Sequence, residues 1–125
     1  MPSTRPWRVE EERMLNELLD IKGVLAVAHF REETGDPWQV HGELSETDGR
    51  RLSRLALDFK RMTQGYADQL ALFVGQPGWT PANGWIVHGD QRTVCGMSSM
   101  VAVIQNGEAN LTEVMKALAD ESFYT

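Results

Sequence analysis

Residues 85–107, WIVHGDQRTVCGMSSMVAVIQNG, decide the fold, because they hold three short apolar runs in close succession. The runs are residues 85–89, 92–97 and 100–105; each is five or six residues long, rich in β-branched side chains and bounded by turn residues, so each reads as a strand. Gly89-Asp90 marks the first turn and Ser98-Ser99 the second, where Gly or Asn is the commoner choice. Asn106-Gly107 closes the last run.

Ahead of these strands, Leu52, Leu55, Ala56, Phe59, Met62, Thr63, Tyr66, Ala67 and Leu70 recur at three- and four-residue spacing and predict a helix over residues 47–74. Such a helix is on the order of 40 Å long at 1.5 Å per residue. Ser45 followed by Asp48 resembles a capping arrangement, and Gly75 with Pro77 supplies the stop. The opposite face carries Arg54, Asp58, Arg61 and Asp68, with Gly65 among them as a place where another backbone can come close.

Further upstream, VLAVAHF at 24–30 is apolar at nearly every position, as a strand covered on both faces should be, while WQVHGEL at 38–44 alternates like a half-exposed edge strand. The polar connection REETGDP joins them into a hairpin, in a register that matches Trp38 with Phe30 and Val40 with Ala28. Residues 10–21, EEERMLNELLDI, predict a first helix with three carboxylates at its positive end and a stop at Lys22-Gly23. Asn110 with Glu113 opens a last helix, to about residue 122, with Leu111, Val114, Met115 and Leu118 on one face. Residues 1–9 read as an N-terminal arm and 10–125 as one domain. The order helix, strand, strand, helix, strand, strand, strand, helix predicts an α+β sandwich, a five-stranded antiparallel sheet covered on both faces.

At 125 residues the chain has room for one sizeable core, and its 42% apolar and 24% charged residues are ordinary for a globular domain. A net charge of -6 disfavours nucleic acid as a partner. The one basic cluster, Arg50, Arg51, Arg54, Lys60 and Arg61, is interleaved with Asp48 and Asp58 and reads as a solvated helix face. No apolar run approaches the roughly 20 residues that span a bilayer. The opening residues lack the apolar centre of a secretory signal, and the single cysteine, Cys95, has no partner for an internal disulfide, so the expected compartment is the reducing cytoplasm.

The order of elements, the first helix ending in IKGVLAVAHF at 21–30 and the segment WTPANGWIVHGDQRTVCGM at 79–97 together resemble the roadblock (dynein light chain) superfamily, in particular a small prokaryotic branch of it. The resemblance covers about residues 10–122. It implies a five-stranded sheet with one long helix on one face and the terminal helices on the other. It also implies a homodimer in which third strands pair across a two-fold axis and long helices pack side by side, and a scaffold role, in some members for Ras-like small GTPases. Carried onto this chain, Trp85, Ile86, Val87 and His88 fall on the pairing strand, and Arg54, Asp58, Arg61, Gly65 and Asp68 lie beside the helix contact. Two features depart from the family: the REETGDPW hairpin and the N-terminal arm. Pairing of an apolar edge strand also removes an aggregation hazard, and Val87→Pro is expected to abolish it by removing a ladder donor.

The candidates for chemistry are few. Cys95 lies in a strand between Val94 and Gly96, where a cysteine is usually a small buried hydrophobe, although His88 and His41 are conceivable bases. His29, His41, His88 and Cys95 show no paired metal-ligand spacing; in the expected register His29 and His41 are diagonal neighbours that need a third ligand such as Glu43. The carboxylates of Glu10 to Glu12 and Glu32 to Glu33 read as solvated, and no phosphate-loop text is present, so the chain is not expected to be a GTPase itself. Trp79 and Trp85 read as interface or core anchors, with a tryptophan-lined ligand pocket as the alternative. The expectation is a non-enzymatic dimeric scaffold without cofactor or metal, against a small-molecule sensor at Trp79 and Trp85 or a thiol or metal site at Cys95.

Overall fold

The structure is a computed structural model, described here over residues 8–74 and 84–121. Its elements are α1 (Arg8–Leu19), β1 (Val24–Phe30), β2 (Pro37–Gly42), α2 (Glu46–Val74), β3 (Gly84–His88), β4 (Arg92–Met97), β5 (Met100–Gln105) and α3 (Leu111–Glu121). The strands form one antiparallel sheet in the order β2-β1-β5-β4-β3, so the expected sheet is present and β2 and β3 are its edges.

Period-two alternation along the inner strands divides the core in two. Val24, Val27, Cys95, Ala102 and Ile104 face α1 and α3, where Met14, Leu15, Leu18, Val114 and Leu118 close the layer. Ala26, Ala28, Phe30, Trp85, Val101 and Val103 face α2, which contributes Leu52, Ala56 and Leu57. This places the long helix alone on one face and the terminal helices together on the other. The caps form as the sequence implies: Asp48 N donates to Ser45 Oγ at 3.1 Å, and Glu113 N donates to Asn110 Oδ1 at 3.1 Å. At the β4–β5 turn Ser98 takes a left-handed conformation with φ 53°, which Gly or Asn would adopt at lower cost.

In the first hairpin Val40 pairs with Ala28 as expected, but Phe30 pairs with Pro37 instead of Trp38. The register shifts at a bulge between His29 and Phe30. Strand β2 ends at Gly42, whose φ of 112° takes the chain out of the extended region.

Candidate functional site

Strand β3 brings the sequence-predicted interface residues to a sheet edge that no further strand covers among the described residues. Its pairing with β4 matches Trp85 with Gly96, Ile86 with Cys95 and Val87 with Val94. Gly89 N donates to Arg92 O at the turn, so Gly89 and Arg92 form a hydrogen-bonded pair. Because such pairs alternate along an antiparallel ladder, Val87 and Trp85 also point their amides at β4, while Gly84, Ile86 and His88 point theirs away from the sheet. The outward donor at the middle of the strand therefore belongs to Ile86. A proline at Val87 would break the internal ladder instead of the outer edge.

The side chains sort by face in the same way. Trp85 and Val87 lie on the α2 side, Ile86 and His88 on the α1/α3 side. The indole of Trp85 is 7% exposed and stacks on Phe59 of α2 with ring centroids 4.9 Å apart. Its other face covers Gly96, where an added Cβ would come within 2.5 Å of the ring. Trp85 is thus a core residue that ties β3 to α2. Ile86 and Val87 are 47% and 41% exposed. His88 is exposed at the strand end, its Nδ1 2.9 Å from Thr93 Oγ1, and the Thr93 hydroxyl donates to Asn106 Oδ1 at 2.6 Å.

Helix α2 presents two different sides. On the β1–β2 hairpin side, Arg54 reaches Asp36 at 3.1 Å and Arg61 donates to the Glu32 carbonyl at 3.5 Å. Asp58 and Gly65 face solvent, and nothing lies within 4 Å of a Cβ built on Gly65. The Asp68 side chain and Trp79 lie outside the described residues. On the β3 side, Leu55, Met62, Tyr66 and Leu70 form an apolar stripe at helical spacing, 44%, 48%, 55% and 37% exposed. Phe59 sits in that stripe and joins it to Trp85. No sequence signal singled out this stripe, because its members share the apolar periodicity with the buried residues next to them.

The chemical candidates occupy quieter surroundings. Cys95 is fully buried, and burial pushes its thiol up to about 12. His29 and His41 do share one face of the hairpin, but Glu43 does not join them. Instead Glu11 of α1, read from the sequence as solvated, is buried and contacts His29 Nδ1 through Oε2, while its Oε1 accepts from Gln39 Nε2 at 2.6 Å. With Gln39 so oriented, His41 Nε2 donates to Gln39 Oε1 at 2.9 Å, and His41 Nδ1 lies 2.8 Å from the Asn16 oxygen. In the first turn of α1 it is Glu11 that faces β1 and β2, while Glu10 stays exposed as the sequence implies. Among the described residues, no three His, Cys, Asp or Glu side chains converge as a metal site. Two grooves on the described surface, of about 290 and 180 Å³, lie at the β2 edge and beside Lys60, and neither is lined by Trp85.

No described helix is long and apolar enough to cross a membrane. The model of the family described as "Uncharacterized conserved protein (DUF2173)" matches residues 14–120. No curated protein matches the chain. Among solved structures, a Roadblock/LC7 domain from Streptomyces avermitilis is similar with a TM-score of 0.74 at 9% identity, over 90% of this chain and 91% of that one. MglB from Myxococcus xanthus has a TM-score of 0.73 at 13% identity, over 98% and 90%. The gliding protein mglB from Thermus thermophilus has a TM-score of 0.71 at 15% identity, over 98% and 96%. At such identities the likeness is one of fold, and the fold is that of the roadblock domain.

Proposed function

This chain belongs to the DUF2173 family, and from that premise and its fold we propose that it works in the cytoplasm as a non-enzymatic dimeric scaffold that docks another protein, a Ras-like small GTPase. One observation carries the reading: the β3 edge, unpaired among the described residues and with Ile86 and Val87 exposed, is continuous through Trp85 and Phe59 with the apolar stripe of α2. An unpaired apolar edge beside an apolar helix flank is what a self-complementary surface needs, since a second copy supplies both the missing ladder and the missing cover. The roadblock fold supports the same reading, because the resemblance implies third-strand pairing and a helix platform for a GTPase.

The solution mass by light scattering over a concentration series tests the first half. A concentration-stable dimer is expected, and a monomer throughout would remove the scaffold as described. The second half is tested by titrating the dimer with a Ras-like GTPase from the same source in its GTP and GDP forms. Binding that differs between the two forms is expected. A dimer that binds neither form and leaves GTP hydrolysis unchanged would discard the GTPase and keep the scaffold.

A further inference from the structure

We propose that Met97 and Met115 form an oxidation-sensitive clasp on the start of β3: a hydroperoxide converts their thioethers to sulfoxides and so releases the strand. Met14, Met97, Met100 and Met115 all lie in the layer between the sheet and the terminal helices. Met14 and Met100 are 2% and 0% exposed, out of reach of an oxidant, whereas Met97 and Met115 are half-buried at the border of the layer. Met97 of β4 pairs with Gly84 of β3, on the α1/α3 face. Because Gly84 has no Cβ, the Met97 sulfur rests directly on its backbone. A Cβ added there would collide with that sulfur and come within 3.0 Å of Met115 Cε, which reaches in from α3. The two side chains thus meet over the first residue of the strand. Further along the same face, Ile86 is 47% exposed and His88 is exposed. Among the described residues the clasp is therefore the apolar tie between β3 and α3, as Trp85 is the tie between β3 and α2.

A thioether is apolar and flexible enough to fill the space above a glycine. Its sulfur lone pair attacks one oxygen of hydrogen peroxide: the S–O bond forms, the O–O bond breaks, and the hydroxide that leaves takes up the proton of the transferred oxygen as water. Sulfur loses two electrons and the peroxide gains them. The product is polar, and its oxygen needs a hydrogen-bond donor when buried. The clasp offers apolar side chains and the Gly96 carbonyl, an acceptor, while the Gly84 N–H points away from the sheet edge instead of into the layer. The oxidised side chains therefore turn out to solvent, and Gly84 loses its cover. The edge on which the scaffold reading rests then frays from its first residue.

Peptide mass mapping and hydrogen exchange of the full chain after mild treatment with hydrogen peroxide test the clasp. A gain of one oxygen is expected at Met97 and at Met115, and none at Met14 or Met100. The amides of Trp85 and Val87 face β4 whether or not a second copy is present, so they report on the strand independently of the dimer. They are expected to exchange at least about tenfold faster after oxidation. Met97→Leu combined with Met115→Leu keeps an apolar cover without an oxidisable sulfur, and its exchange should not respond to the same peroxide. Met62 is present in both proteins, so its oxidation is common to the comparison. Methionine sulfoxide reductase with a thiol reductant should restore slow exchange in the oxidised wild type, a readout that does not depend on how the double variant folds. Met97 and Met115 left unmodified while Met62, 48% exposed, is oxidised would overturn the proposal. Sulfoxides at both positions with unchanged exchange at Trp85 and Val87 would overturn it too, as would equal acceleration in the double variant.

Discussion

Glu11 and His29 bury a carboxylate and an imidazole in mutual contact, 3% and 5% exposed, where α1 meets the sheet. Removing one partner leaves the other buried with that hydrogen bond unmade, which typically costs about 1–3 kcal/mol. Glu11→Ala is therefore expected to lower the stability by that order in urea unfolding, and Glu11→Met combined with His29→Leu to recover most of the loss. A single variant within ~0.5 kcal/mol of wild type would show that the pair does not hold α1. Cys95 makes a prediction in pH. Its thiol ionises at about 12 when folded, against an ordinary value of ~8.5, because burial disfavours the thiolate. Below the ordinary value both states keep the proton and the stability is complete. Above it only the unfolded chain loses the proton, so stability falls as pH rises toward 12, by about 1.4 kcal/mol per unit at most. Cys95→Val should flatten the unfolding profile between pH 9 and 11 relative to wild type; parallel profiles would refute the buried thiol. The environment of Cys95 was legible from its place between Val94 and Gly96 in an apolar strand. The pairing of Glu11 was not, because three adjacent glutamates at a helix start look alike until the helix is rolled onto the sheet.

At the scale of elements, strand limits and helix caps follow from local chemistry, and the structure agrees with the sequence most closely there. Strands β1, β4 and β5 span the residues their patterns predict, since Gly, Ser and Asn bound each run, and both capping arrangements form. The departures arise where long-range packing intervenes. The bulge at His29 and Phe30 shifts the end of the first hairpin by one residue, and its polar tip packs against α2, with Gly35 close to Arg54 and Leu57. Whether Trp85 belonged to a pocket, an interface or the core also depended on which element covered it. The structure places it between Gly96 of β4 and Phe59 of α2. Gly96→Ala is consequently expected to force the indole off its seat. A Cβ 2.5 Å from the ring must displace it, and overpacking of this kind costs about 1–3 kcal/mol. Thermal unfolding together with a red shift of tryptophan emission measures this, and an unchanged melting point would mean that the ring has room to move.

For the whole molecule, the decisive question is which side of α2 meets a second copy. The resemblance set Arg54, Asp58, Arg61, Gly65 and Asp68 beside the contact, and Asp58 and Gly65 do stand open to solvent. The apolar stripe is the next side of the same helix, toward β3, and we propose it as the centre of the contact. Arg54 and Arg61 are turned the other way, toward Asp36 and Glu32 of their own hairpin. Met62 is 48% exposed, so Met62→Lys removes little from the monomer core but sets two like charges against each other near a two-fold axis. It is expected to weaken the dimer by at least tenfold, about 1.4 kcal/mol, while the unfolding of the monomer moves by less than ~0.5 kcal/mol. Arg61→Ala serves as the control: its side chain reaches the hairpin, so the dimer should persist. Dilution by analytical ultracentrifugation separates the alternatives. Loss of the dimer in Met62→Lys alone assigns the contact to the apolar flank. The reverse pattern moves it to the charged back of the helix and makes Gly65 the point of closest approach.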